Sequence, residues 1–208
     1  MLKIPSGGGG GGGLPSEYQQ VEYIANTTGG EYIATSFCPV KVPTYSMLIS
    51  ISTSSLQYGD KMLFGAQDGD YLEPYQWYTN SQRWYGRTGT SKYNNVTSTV
   101  SDISGIIEIT MSPDALTVND QSLLPTSGTA TRATPIYVFA WNNNGAAQYK
   151  MPAPTAIYYL RAVADGDDLL NLIPVYRKAD GVIGLFDTVS QTFYTNAGTG
   201  AFTKGTDV

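Results

Sequence analysis

From Leu14 onward, apolar and polar residues alternate with a period of two. Across Tyr45–Thr53, Met47, Ile49 and Ile51 fall on one side, with Ser46, Ser50 and Ser52 mostly on the other. Ile106–Met111 repeats the pattern, with Ile107, Ile109 and Met111 together. Side chains alternate across a strand, so both runs predict half-buried strands. Ala115–Val118 and Gln121–Leu124 flank Asn119-Asp120, a pair that tolerates the positive φ of a two-residue hairpin. Pro135–Trp141 is apolar on both faces and predicts one strand inside a layered structure. Ala156–Val163 turns at Asp165-Gly166 and returns through Leu169 to Tyr176, and Val182–Asp187 pairs with Thr192–Thr195. No ten-residue stretch carries the 3.6-residue period of a helix. Turn signals recur at spacings of roughly 8–15 residues. The prediction is an all-β, two-sheet antiparallel sandwich or jelly roll.

Residues 1–13 break this pattern and read as an N-terminal arm, leaving 14–208 as a single domain. Met1-Leu2-Lys3-Ile4-Pro5 is a short apolar-basic tip, and Gly7–Gly13 is an unbroken glycine run. As a free coil that run would span roughly 15 Å. Either it is a flexible linker left from a longer fusion, or Leu2, Ile4 and Pro5 grip a partner while the glycines let the body stand off.

Composition narrows the chemistry. The 208 residues contain no His and a single Cys, with a net charge of −5. Without His the usual zinc ligand, the commonest general base and the Ser–His and Cys–His pairs are excluded. Without a basic run there is no phosphate-tracking surface, so no nucleic-acid partner is expected. Cys38 has no partner thiol within the chain and reads as a small buried apolar residue. The start lacks the apolar core of a secretory signal, and no 18-residue apolar stretch could span a bilayer. The expectation is synthesis in a cytoplasm, with the working place reached without ordinary secretion or membrane insertion.

Two groups of segments carry a resemblance. Leu14–Ile24 (LPSEYQQVEYI) and Gly30–Thr35 (GEYIAT) are similar to the opening of a family of domains in bacteriophage and prophage virion proteins. The closing stretch is closer: Ile157–Arg161 (IYYLR), Asp165-Gly166, Leu172–Lys178 (LIPVYRK), Asp180–Asp187 (DGVIGLFD), Phe193–Gly200 (FYTNAGTG) and Phe202. The resemblance implies a concanavalin-A-like, or laminin-G-like, jelly roll. It implies a lectin-like module on fibres, tails or capsid surfaces, within an oligomeric virion assembly. Its partners would be other virion proteins, which the arm read from the residues would hold; a host surface glycan is a further candidate, and no particular glycan is implied. The closing segments also have a local reading. Asp187 precedes the turn 188–191, where a carboxylate can accept backbone N–H bonds, and Asn196–Gly200 has the residues of a tight corner.

Three constellations bear on chemistry. Some folds of this class are glycosidases, whose retaining members carry Glu-x-Asp-x-(x)-Glu on one strand, but Glu17, Glu22, Glu31, Glu73 and Glu108 are not so spaced. No enzyme activity is expected. Tyr71, Tyr75, Trp77, Tyr78, Trp84 and Tyr85 crowd a short segment with Gln76, Asn80, Gln82, Arg83 and Arg87. Aromatic faces beside amides and guanidinium forks suit sugar rings, so Tyr75, Trp77, Tyr78, Arg83, Trp84 and Tyr85 are the candidate glycan contacts. Core packing and subunit contact are the alternatives, and strand alternation must divide the set between two faces. Asp68, Asp70, Asp165 and Asp167 are weak candidates for Ca²⁺, but both loops are also plain Asp-Gly turns. No other cofactor is expected. Asn142-Asn-Asn-Gly145 reads as a loop first and a hydroxyl-binding element second.

Overall fold

The computed structural model describes residues 13–39, 44–51, 59–68, 70–79, 81–89, 105–112, 115–119, 121–123 and 133–208. For 51, 59–60, 68, 70–79, 81–89 and 121–123 the description is of the backbone. The tip residues Leu2, Ile4 and Pro5 therefore lie outside the described residues, as does the glycine run before Gly13.

Every regular element among the described residues is a strand. In chain order these are β1 (Tyr18–Gln20), β2 (Ile24–Ala25), β3 (Ile33–Ala34), β4 (Thr44–Ile51), β5 (Gly59–Met62) and β6 (Phe64–Asp68). Next come β7 (Asp70–Thr79), β8 (Ser81–Gly89), β9 (Gly105–Met111), β10 (Leu116–Val118), β11 (Gln121–Leu123), β12 (Tyr137–Val138) and β13 (Trp141–Asn143). The last are β14 (Ala146–Gln148), β15 (Thr155–Ala164), β16 (Asp167–Arg177), β17 (Ile183–Asp187), β18 (Thr192–Thr195) and β19 (Thr203–Lys204). They form two sheets. The larger runs β11-β10-β9-β4-β15-β16-β17-β18, with β1 beside β16 and β2 linking β15 to β19. The smaller runs β14-β13-β6-β12-β3, and β7 joins it to β5 and β8. Of the described pairs only β13 with β6 is parallel. The all-β expectation holds, in an arrangement compatible with a β-sandwich.

One core serves both sheets. Tyr45, Met47 and Ile49 of β4 and Ile107, Ile109 and Met111 of β9 meet Phe64 and Ala66 of β6 and Val138 of β12. The Tyr45 and Phe64 rings lie 5.0 Å apart across the layers. Each of the larger aliphatic and aromatic side chains among these, fully buried, contributes about 1.5–3 kcal/mol. The period-two pattern thus put the right residues inside. Turn chemistry follows sequence as well. Asp165 and Gly166 take φ of +55° and +87°, closing β15 on β16 as a two-residue hairpin. Asn119, at +48°, opens the predicted hairpin between β10 and β11.

Pro135–Trp141 is not the single strand its pattern predicts. β12 pairs antiparallel with β6, at Val138↔Phe64 and Tyr137↔Gly65. The chain then bends at Phe139 and Ala140, and β13 pairs with β6 in parallel, at Asn142↔Ala66. The reversal requires Phe139 at φ +65°, a region a bulky residue rarely adopts. Its backbone is held there by Phe139 N–H to Leu63 O (2.7 Å) and Met151 N–H to Phe139 O (2.8 Å). Its ring packs 5.5 Å from that of Phe202. Cys38 also departs from expectation, being half-buried rather than buried, with its Sγ 3.1 Å from Ala133 O.

Candidate functional site

Pairing register sorts the aromatic segment. In β7 and β8, Tyr75 stands opposite Tyr85 and Trp77 opposite Arg83, while Gln76 stands opposite Trp84 and Tyr78 opposite Gln82. Paired residues share a face and neighbours alternate. Tyr75, Trp77, Arg83 and Tyr85 therefore occupy one face of the ribbon, and Tyr78 and Trp84 the other. The register thus divides the six positions between the two faces of the ribbon, and their side chains lie outside the described ones.

The same rule divides the smaller sheet. Ile33, Phe64, Ala66 and Val138 belong to its core face. Tyr137, Gly65, Gln67, Trp141, Asn143 and Gln148 alternate with core positions or pair with residues that do, so they occupy the outer face. Gln67 stands opposite Tyr71, so the positions Tyr71, Tyr75 and Trp77 continue this outer face.

The described side chains on the outer face are mostly aromatic and polar, with Met62 and Ala146 the aliphatic ones. The Tyr32 and Tyr137 rings lie 5.3 Å apart. Lys150 Nζ sits 5.0 Å above the Tyr32 ring centroid and donates to Gly30 O at 3.2 Å. Ammonium and ring attract through the ring's negative face. Trp141 is buried although it lies on the outer face, and its ring is 5.4 Å from that of Tyr149. Tyr149 is 43% exposed. Beside it, Asn143 Nδ2 donates to Gln148 Oε1 at 3.1 Å across the β13–β14 hairpin. Burial first, then the neighbouring Tyr32, pushes the Tyr137 phenol above its ordinary range, so it stays neutral.

The ends of the body are different: their polar groups are turned inward and used. Glu31 is fully buried beneath the loop 26–30. Its carboxylate accepts from Thr27 Oγ1 (2.7 Å), Thr28 Oγ1 (3.0 Å) and the backbone N–H groups of Thr27 and Thr28. Burial pushes the Glu31 carboxyl up, but these donors together outweigh it and hold the pKa at about 2. Asn196 Oδ1 accepts from Tyr32 N–H (3.2 Å) and Gly198 N–H (2.9 Å), closing the predicted corner. Asp187, buried, accepts from the N–H groups of Asn171, Val189 and Ser190 and from Ser190 Oγ at 2.6 Å. That is the turn-capping role its position predicts. Asn142 is likewise spent internally, Nδ2 on Pro135 O and Oδ1 on Gly145 N–H.

Asp165 lies in the exposed hairpin turn and Asp167 follows it, and their neighbour Asp168 is paired with Arg161. Asp68 and Asp70 pair across the β6–β7 turn. Among the described residues no group of three His, Cys, Asp or Glu side chains is placed to hold a metal ion. Sequence reasoning missed Tyr32, Tyr137, Tyr149 and Lys150. The signal available was a chemical one, Tyr149-Lys150 directly after the Asn-rich hairpin, but nothing local joins them to Tyr32.

With an all-β, two-sheet body and an aromatic outer face in hand, comparison adds no relative: no protein-family model, curated protein or solved structure matches the chain.

Proposed function

We propose that this chain is a non-enzymatic structural component of a bacteriophage particle. The reading is an arm-anchored, lectin-like jelly roll displayed on the particle surface as a decoration or fibre element. The observation that carries it is the joining of the two family-like sequence segments. Leu14–Thr35 and Ile157–Phe202 lie at opposite ends of the chain, yet they interlock. β1 pairs with β16, and β2 pairs with β15. Asn196 binds the backbone of Tyr32, and Gly198 abuts Gly30. Segments chosen by resemblance thus behave as one structural unit, as a domain family requires. The full use of Glu31 and Asp187 in hydrogen bonds supports a structural role for both buried carboxylates.

Deleting residues 1–13 tests the anchor. The truncated chain is expected to fold with unchanged circular dichroism but to be missing from particles assembled in its presence. Incorporation at the full-length level would sink the reading. The adhesin reading, in which the body also binds host glycan, is favoured by the outer face, where rings and amides lie side by side.

A further inference from the structure

We propose that the outer face of the smaller sheet binds an anionic polysaccharide, with Lys150 as counter-ion and Tyr149 as the ring on which a neighbouring sugar stacks. The inference rests on the surface-module reading and specifies the ligand class of its binding face.

Lys150 is not an ordinary surface lysine. Its ammonium is fixed between Gly30 O, at 3.2 Å, and the Tyr32 ring, at 5.0 Å. A long side chain normally loses rotamer freedom when it engages a ligand. Here that cost is largely met before the ligand arrives. An ammonium has three N–H donors, and among the described residues only Gly30 O takes one. Among the described side chains of this face Lys150 carries the one charge, and the positions Asp60, Glu73, Arg83 and Arg87 that the register adds to the face balance in sign, so it is the fixed ammonium that favours an anion.

The rest of the face prefers a sugar. Tyr149 is 43% exposed, and its partner Trp141 holds it from behind at 5.4 Å. A pyranose offers flat C–H surface to such a ring and hydroxyls around its rim. The Asn143–Gln148 amide pair stands alongside, and Gln148 Nε2 has no partner among the described residues. A fixed cation, an open ring and an unspent amide match a sugar carrying a carboxylate or sulfate. The chain's net charge of −5 does not oppose this at physiological salt, since charges beyond about 8 Å are screened.

Affinity electrophoresis of the full chain through gels containing alginate, dextran sulfate or neutral dextran tests the proposal. Alginate or dextran sulfate should retard the protein, and dextran should retard it far less; which of the two wins tells carboxylate from sulfate. Lys150→Gln should weaken retention by the anionic polymer about tenfold, the size of one hydrogen bond to a charged group, while Lys150→Arg keeps most of it. Raising the salt should weaken the wild type and leave Lys150→Gln nearly unchanged. Equal retention by dextran, undiminished binding by Lys150→Gln or no retention by any polymer would overturn the proposal. Equal retention by single-stranded DNA would overturn the sugar assignment in favour of polyanions at large. A chain that enters particles through its arm yet ignores every polymer loses the glycan site alone. One that binds alginate but never joins a particle loses the virion reading alone.

Discussion

The corner where the two ends of the chain meet and the outer face of the smaller sheet use polar groups in opposite ways. At the corner, Glu31, Asn196 and Asn26 are buried or half-buried, and their side-chain oxygens are engaged by the chain's own donors. On the outer face, Lys150, Gln148 and the hydroxyl of Tyr149 keep capacity that no described residue uses. A buried donor or acceptor left without a partner costs about 1–3 kcal/mol, so the corner can exist only saturated. An exposed group has water and carries no such penalty. Spare capacity at the surface, held in fixed geometry, is what a ligand can exploit, and saturation marks architecture.

The largest expected effect breaks the corner. A Cβ added at Gly198 would lie 2.1 Å from Gly30 O, a backbone atom with no room to retreat. Gly198→Val should therefore cost about 3 kcal/mol or more, through overpacking and loss of the Asn196 contacts. Urea denaturation monitored by circular dichroism measures it. A variant as stable as the wild type would show that the two ends are not locked together.

Glu31→Gln is a subtler break in the same place. It keeps the shape but replaces a carboxylate oxygen with a donor that faces the Thr27 and Thr28 donors, at an expected cost of about 1–3 kcal/mol. The pH dependence follows from the direction of the shift. The folded pKa of about 2 lies below the ordinary 4.5, so the stabilisation is fully present above pH 4.5 and is lost as pH falls towards 2. Wild type should lose stability across that window, and Glu31→Gln should lose correspondingly less. Identical acid profiles would remove Glu31 as the cause.

What the sequence revealed and what it hid separate along the same line. Local rules were legible: the alternation in β4 and β9, the positive-φ turn at Asp165-Gly166 and the capping carboxylate of Asp187 all depend on residues within a few positions. The bend at Phe139 was not, because a seven-residue apolar run says nothing about which edge of which neighbour it will pair with. Its φ of +65° is tolerated only because Leu63, Met151 and Phe202 hold it. The outer face was hidden for a related reason. Tyr32 meets Tyr137 and Lys150 only because β12 bridges β3 and β6, a non-local pairing that no spacing in the chain encodes. The aromatic ribbon drew attention by local density, yet alternation splits it, and the described surface beside it is assembled from three distant stretches.

The smallest effect on stability should come from the outer face, where it sharpens the contrast. Tyr149→Ala keeps the backbone, including Tyr149 O as acceptor for Met62 N–H at 2.8 Å, and any residue but glycine bears a similar strain at φ +49°. It removes one half-exposed ring, losing about 0.5–1.5 kcal/mol from its contact with Trp141 and about 1 kcal/mol more from the covered half of the ring. Retention by alginate, in contrast, should fall sharply, since the ring is the stacking surface. A variant that denatures like the wild type but no longer binds would separate function from architecture on this sheet. If instead stability dropped as far as in Gly198→Val while binding per folded molecule persisted, Tyr149 would belong with the corner, as structure rather than site.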